Sequence, residues 1–89
     1  MNIAKIGRHA PSLIETEIDG DISLYHPPTE QVTVLNGTAS DVWRLCDGER
    51  TIDDIADLLG RAYGVEPDSI VADITETIRQ FQKAELLAE

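Results

Sequence analysis

The sequence predicts an α+β domain, a three-stranded antiparallel sheet followed by three helices. Three observations carry that prediction. Apolar and β-branched residues gather in three short runs between residues 13 and 35, separated by turns that hold Gly20 and Pro27-Pro28. After Asn36-Gly37 the apolar spacing lengthens to the three-and-four pattern of a helix. The connections between the first three runs are too short for crossovers, so they form an antiparallel meander, and strands followed by helices argue against a parallel sheet.

Each element has its own warrant. Residues 1–10 read as a flexible N-terminal arm, with weak apolar content at Ile3 and Ile6, and residues 11–89 as one folded domain. Residues 13–18 alternate in part and form the first strand. Asp19-Gly20-Asp21 turns the chain, Gly20 offering a positive φ. Residues 22–26 form the second strand, which Pro27-Pro28 must break because proline gives no ladder donor. Gln31-Val32-Thr33-Val34-Leu35 is β-branched and forms the third. Ala39, Val42, Trp43 and Cys46 then share one helical face, with Asn36 or Thr38 capping the start and Gly48 ending the helix in a left-handed conformation. Thr51 and Asp54 approximate a capping box for a second helix that turns Ile52, Ile55, Leu59 and Ala62 inward and stops at Gly64. Pro67 and Asp68 suit the first turn of a third helix. Its apolar stripe is Ile70, Val71, Ile74, Ile78 and Phe81, and it is expected to run to Leu86 or Leu87. The order resembles a helix-turn-helix carrying an N-terminal sheet.

Composition narrows the function classes. A chain of 89 residues makes one domain with a thin core, and 42% hydrophobic residues suffice to build it. A single cysteine excludes an internal disulfide and suits a reducing compartment. No apolar run reaches the roughly 18–20 residues of a membrane span, and the N-terminus lacks the apolar stretch of a secretory signal. The expectation is a soluble cytoplasmic protein with no membrane association. The net charge of −10 repels phosphate backbones and anionic lipid; it favours a neutral or basic partner, or serves solubility alone.

The residues that could carry chemistry do not assemble into a set. His9 and His26 lack any neighbour at ligand spacing, so no metal site is expected. Cys46 lies on an apolar face, and Asp47 and Glu49 would raise its pKa rather than activate it. Asp53, Asp54 and Asp57 crowd a helix start, where they offset its dipole. Asp19-Gly20-Asp21 lacks the remaining ligands of a calcium loop. No nucleophile elbow, P-loop or dinucleotide fingerprint occurs, so neither catalytic residues nor a cofactor are expected. Trp43 reads as a core aromatic. The third helix offers Asp68, Asp73 and Glu76 against Arg79, which argues against nucleic acid as a partner. What remains is a sheet edge. If the third strand is an edge beside the third helix, an extended peptide can add there as a fourth strand. Alternatively, Glu30 and the Pro27-Pro28 kink blunt that edge.

The residues also resemble the PqqD-like family, the precursor-peptide recognition elements of ribosomal peptide biosynthesis. The matching pieces are Leu35-Asn36-Gly37-Thr38-Ala39, Trp43, Leu45, Asp47-Gly48-Glu49-Arg50-Thr51-Ile52 and Ile55. Leu59, Tyr63-Gly64-Val65, Asp73-Ile74, Phe81 and Leu86-Leu87 extend the match, which spans residues 11–87. The resemblance implies a winged helix-turn-helix-like fold and a non-catalytic chaperone, without cofactor, that binds the leader of a precursor peptide and delivers it to a modifying enzyme. The leader is expected to lie along the third strand, at Gln31, Val32, Thr33, Val34 and Leu35, against Asp68, Val71, Ile74, Thr75 and Ile78 of the third helix. Asp68 would pair with a basic leader residue. One branch of the family partners a radical SAM enzyme in pyrroloquinoline quinone synthesis; another partners the cysteine-protease-like leader peptidase of lasso peptide systems. Trp43 and the length of the chain suit the lasso type, and Cys46-Asp47-Gly48 suits the quinone type. The chain departs from both at His26-Pro27-Pro28-Thr29-Glu30 and at Ala84-Glu85-Leu86-Leu87, where a glycine is more usual before the paired leucines. A monomer or weak dimer is expected. The reading from another class is a winged-helix interaction or regulatory module that binds no linear peptide.

Overall fold

The computed structural model describes residues 6–88. Strands β1 (Ile14–Ile18), β2 (Asp21–His26) and β3 (Gln31–Leu35) form an antiparallel sheet with β2 in the middle. Helices α1 (Gly37–Leu45), α2 (Ile52–Tyr63) and α3 (Val71–Lys83) follow, with a short 3₁₀ turn at Pro67–Ser69. The α+β class and the element order are those expected from the sequence.

Turn chemistry sets the register. Asp19 and Gly20 both take positive φ, 53° and 86°, the pattern of a two-residue hairpin turn, which pairs Ile18 directly with Asp21. The second strand therefore starts one residue earlier than expected. Four residues, 27–30, close the β2–β3 hairpin, with Glu30 in the left-handed region and His26 Nδ1 on Thr29 Oγ1 at 2.9 Å. The register then places Ile22 opposite Leu35 and Leu24 opposite Thr33. Ile22, Leu24 and Leu35 are buried on one face of the sheet and join Val42 and Trp43 of α1 in the core. Trp43 meets Phe81 of α3 edge to face at 5.4 Å, a favoured aromatic geometry.

The helix ends depart from expectation in instructive ways. Asn36 is the cap of α1, accepting from the Ala39 N–H. The helix stops at Leu45, before Gly48, because Cys46 swings to ψ 83° while its N–H bonds the Trp43 carbonyl. Gly48, at φ 86°, shapes the turn that follows. The capping box of Thr51 and Asp54 is complete, and Gly64 ends α2 in the left-handed conformation. Ala56, rather than Ala62, completes the inner face of that helix. Pro67 opens the 3₁₀ turn instead of α3, and Ile70 intervenes. Nor does α3 reach Leu86: Glu85 adopts φ 59° and the Leu86 N–H returns to the Phe81 carbonyl, a helix-ending pattern.

The chain beyond α3 explains a further difference. Of the arm expected over residues 1–10, residues 1–5 lie outside the described residues, and residues 6–10 are packed onto the domain. Ile6 is buried and its N–H bonds the Arg50 carbonyl. His9 pairs with Leu87, flanked by bonds from Ala10 to Leu86 and from Ala88 to Arg8. The His9 ring stacks on Trp43 at 3.6 Å and its Nε2 lies 2.7 Å from the Trp43 carbonyl. Each terminal segment thus satisfies backbone groups of the other.

Candidate functional site

The two edges of the sheet differ in chemistry. The β1 edge carries Glu15 and Glu17, both engaged by α1: Trp43 Nε1 donates to Glu15 at 2.8 Å, and Arg44 pairs with Glu17 at 2.7 Å. The hydrogen bond that Arg44 donates to Glu17 raises the Arg44 pKa. The β3 edge carries no charge from Gln31 to Leu35. Proteins ordinarily guard free edges with charge or cover, and only the first is so guarded here.

One buried hydroxyl reveals which backbone groups face that open edge. Ser40 Oγ accepts the Ile22 N–H at 3.1 Å and donates to the Leu35 carbonyl at 3.2 Å. The Ile22 N–H and the Leu35 carbonyl therefore face one another, with the hydroxyl between them. Antiparallel ladders alternate, so Leu24–Thr33 and His26–Gln31 are also pairs whose backbone groups face inward. The N–H and C=O groups of Val32 and Val34 point out of the sheet. Side chains alternate separately: Leu35 is buried and Thr33 half-buried on the helix side, whereas Val32 and Val34 are 62% and 69% exposed on the other.

The backbones of β3 and α3 are not close neighbours, and α1 packs against β2, β3 and α3. The sheet and the third helix are therefore bridged by α1. Of the α3 residues singled out by sequence, Ile74 and Ile78 are buried in the core at 2% exposure each, and Val71 and Thr75 are half-buried. Thr75 Oγ1 donates to the Val71 carbonyl, which occupies its hydroxyl within the helix. Asp68 is exposed on the 3₁₀ turn and borders an open cavity of about 540 Å³ with Asp53, Ala56, Asp57, Pro67 and Val71. The structure thus brings Asp68 and Val71 together at that cavity, which none of the five β3 positions lines. Sequence reasoning missed Asp53 and Asp57 as neighbours of Asp68. Their four-residue spacing put them on one face of α2, but only the 3₁₀ turn folding back over that helix joins them to Asp68.

The remaining ionisable groups are quiet. Burial, with a smaller contribution from Asp47, pushes the Cys46 thiol up to about 12, and its sulfur bonds the Val42 carbonyl. Burial and a hydrogen bond to Asp41 push Tyr63 up to about 12. Among the described residues, no three His, Cys, Asp or Glu side chains are placed to hold a metal ion, and no helix is long and apolar enough to cross a membrane.

Fold and site together define a class: a small α+β domain whose meander ends in an uncharged edge that no other described strand pairs. Residues 22–87 match the family of coenzyme PQQ synthesis protein D (PqqD), and this covers well over half the chain. The chain belongs to the PqqD family. Its fold is also that of TbiB1, solved in complex with the TbiA(beta) leader peptide. The two share 22% identity at a TM-score of 0.80, over 91% of this chain and 94% of that one, a likeness that establishes the fold. No curated protein matches the chain.

Proposed function

We propose that this protein is a non-catalytic adaptor that binds the leader segment of a ribosomally made precursor peptide and delivers it to a modifying enzyme. The observation that carries the reading is the uncharged β3 edge, with the backbone groups of Val32 and Val34 turned out of the sheet. A peptide strand added there gains main-chain hydrogen bonds at once, and alternate side chains turn to the helix side of the sheet. Membership of the PqqD family supports this, as does the shared fold of TbiB1, which was solved with a leader peptide. On this reading Gln31, Val32, Thr33, Val34 and Leu35 supply the strand, and Asp68, Val71, Ile74, Thr75 and Ile78 the opposing wall. Asp68, with Asp53 and Asp57 beside it, receives a basic leader residue, in keeping with the net charge of −10.

The modifying enzyme is a lasso-type leader peptidase in the first instance and a radical SAM enzyme in the second. The protein acts in the cytoplasm as a monomer or weak dimer and uses no cofactor. Isothermal titration with synthetic leader segments of ribosomal precursor peptides tests the proposal. Saturable one-to-one binding is expected. A folded protein that takes up no heat from any such leader, but forms a stable complex with a folded partner, overturns it.

A further inference from the structure

The sheet face turned away from the helices is nearly free of charge in a protein that is otherwise rich in acid. Register aligns Ile14, Tyr25 and Val32 in one row across it, and Thr16, Ser23 and Val34 in the next. Ile14 is 55% exposed, and Val32 and Val34 are more exposed still. On this face neither β1 nor β3 presents a charge, and β2 contributes Asp21 alone, although the chain holds 17 acidic residues. Both rows end at β3, the edge that carries no guard, so each is a row of cross-strand neighbours with its last place open.

We infer that Val32 and Val34 read a bound peptide on this outer face, so that its specificity is set on both sides of the added strand. The inference rests on strand addition at β3. Because the backbone groups of Val32 and Val34 point out of the sheet, the peptide residues that pair with them place their side chains on the same face, beside the two valines. Those residues extend the rows by one member each. β-branched and aromatic side chains gain most from such cross-strand contact. The intervening peptide residues point the other way, toward the helix side of the sheet. The ligand class is therefore an extended segment that is apolar on both parities over its paired length, the pattern of a strand covered on both faces, rather than an alternating one.

The test is an mRNA-display selection of random linear peptides on the full chain, followed by affinity measurements on two variants. The Val32→Thr/Val34→Thr double variant keeps the β-branched shape at exposed positions but makes the outer face polar. Val34→Pro removes an outward donor. Enriched peptides are expected to carry apolar residues at consecutive positions, to bind the double threonine variant roughly threefold to thirtyfold more weakly, and to lose binding to Val34→Pro. Peptides with apolar residues on one parity only, bound equally by wild type and the threonine variant but lost with Val34→Pro, overturn the outer-face inference and leave strand addition standing. Undiminished binding to a folded Val34→Pro, or no enrichment over an unrelated folded bait, overturns strand addition and the inference with it.

Discussion

Ser40 is a buried polar residue on which the geometry of the open edge turns. Its hydroxyl hydrogen-bonds two backbone groups where the β2–β3 ladder meets α1. Ser40→Ala is expected to cost about 1–3 kcal/mol, because it removes both of those bonds from a buried site. Urea denaturation measures that loss. Cys46 makes the opposite case, a group silenced by its surroundings. Its thiol value rises from 9.0 in the open chain to about 12 in the fold, so its share of stability is complete below pH 9 and lost as pH climbs toward 12. Iodoacetamide at pH 8 should leave Cys46 unmodified in the native protein and alkylate it in denaturant, as read by mass spectrometry. The inward direction of Cys46 and Trp43 was legible in their helical spacing. The role of Ser40 was not, since its two partners lie 18 and 5 residues away in sequence and meet only in the folded sheet.

At the scale of elements, β3 is a strand with two unlike backbone edges. Proline at Thr33 would strike the inward pair with Leu24 and break the sheet, whereas proline at Val34 meets only the open side, where an edge strand tolerates it. Circular dichroism and thermal melting should find Val34→Pro folded and Thr33→Pro severely destabilised, and leader binding should be lost in the first. The capping box of α2 is worth about 1 kcal/mol, so Thr51→Ala should lower the melting temperature by several degrees. Cap chemistry is local, which is why Asn36, Thr51 and Gly64 were readable from the sequence. The ends of α1 and α3 were not. The Cys46 N–H bonds the Trp43 carbonyl and the Leu86 N–H, next to Glu85, bonds the Phe81 carbonyl, and no intrinsic preference of Cys46 or Glu85 announces these helix ends.

Over the whole molecule, α1 is the bridge. It packs on the sheet and on α3 and joins the two. Periodicity finds an apolar face on each element but says nothing of how two elements are placed. The five β3 positions were therefore readable only as a candidate edge, the other five positions came through family resemblance, and the joining of Asp53 and Asp57 to Asp68 is a product of the fold. The clasp of residues 6–10 with residues 86–88 was equally hidden, because its ends are far apart in sequence. His9→Ala removes the ring stacked on Trp43 and its bond to the Trp43 carbonyl, and should cost about 1–2 kcal/mol in urea denaturation, followed by Trp43 fluorescence.

The central claim is that a peptide becomes the fourth strand at β3. The most direct measurement is amide hydrogen exchange by NMR on the full chain, with and without a leader peptide that binds it. Strand addition predicts that the Val32 and Val34 amides, fast in the free protein, become strongly protected on binding, while the Thr33 amide, already paired with β2, changes far less. Leader binding that leaves the Val32 and Val34 amides as fast as before would contradict it.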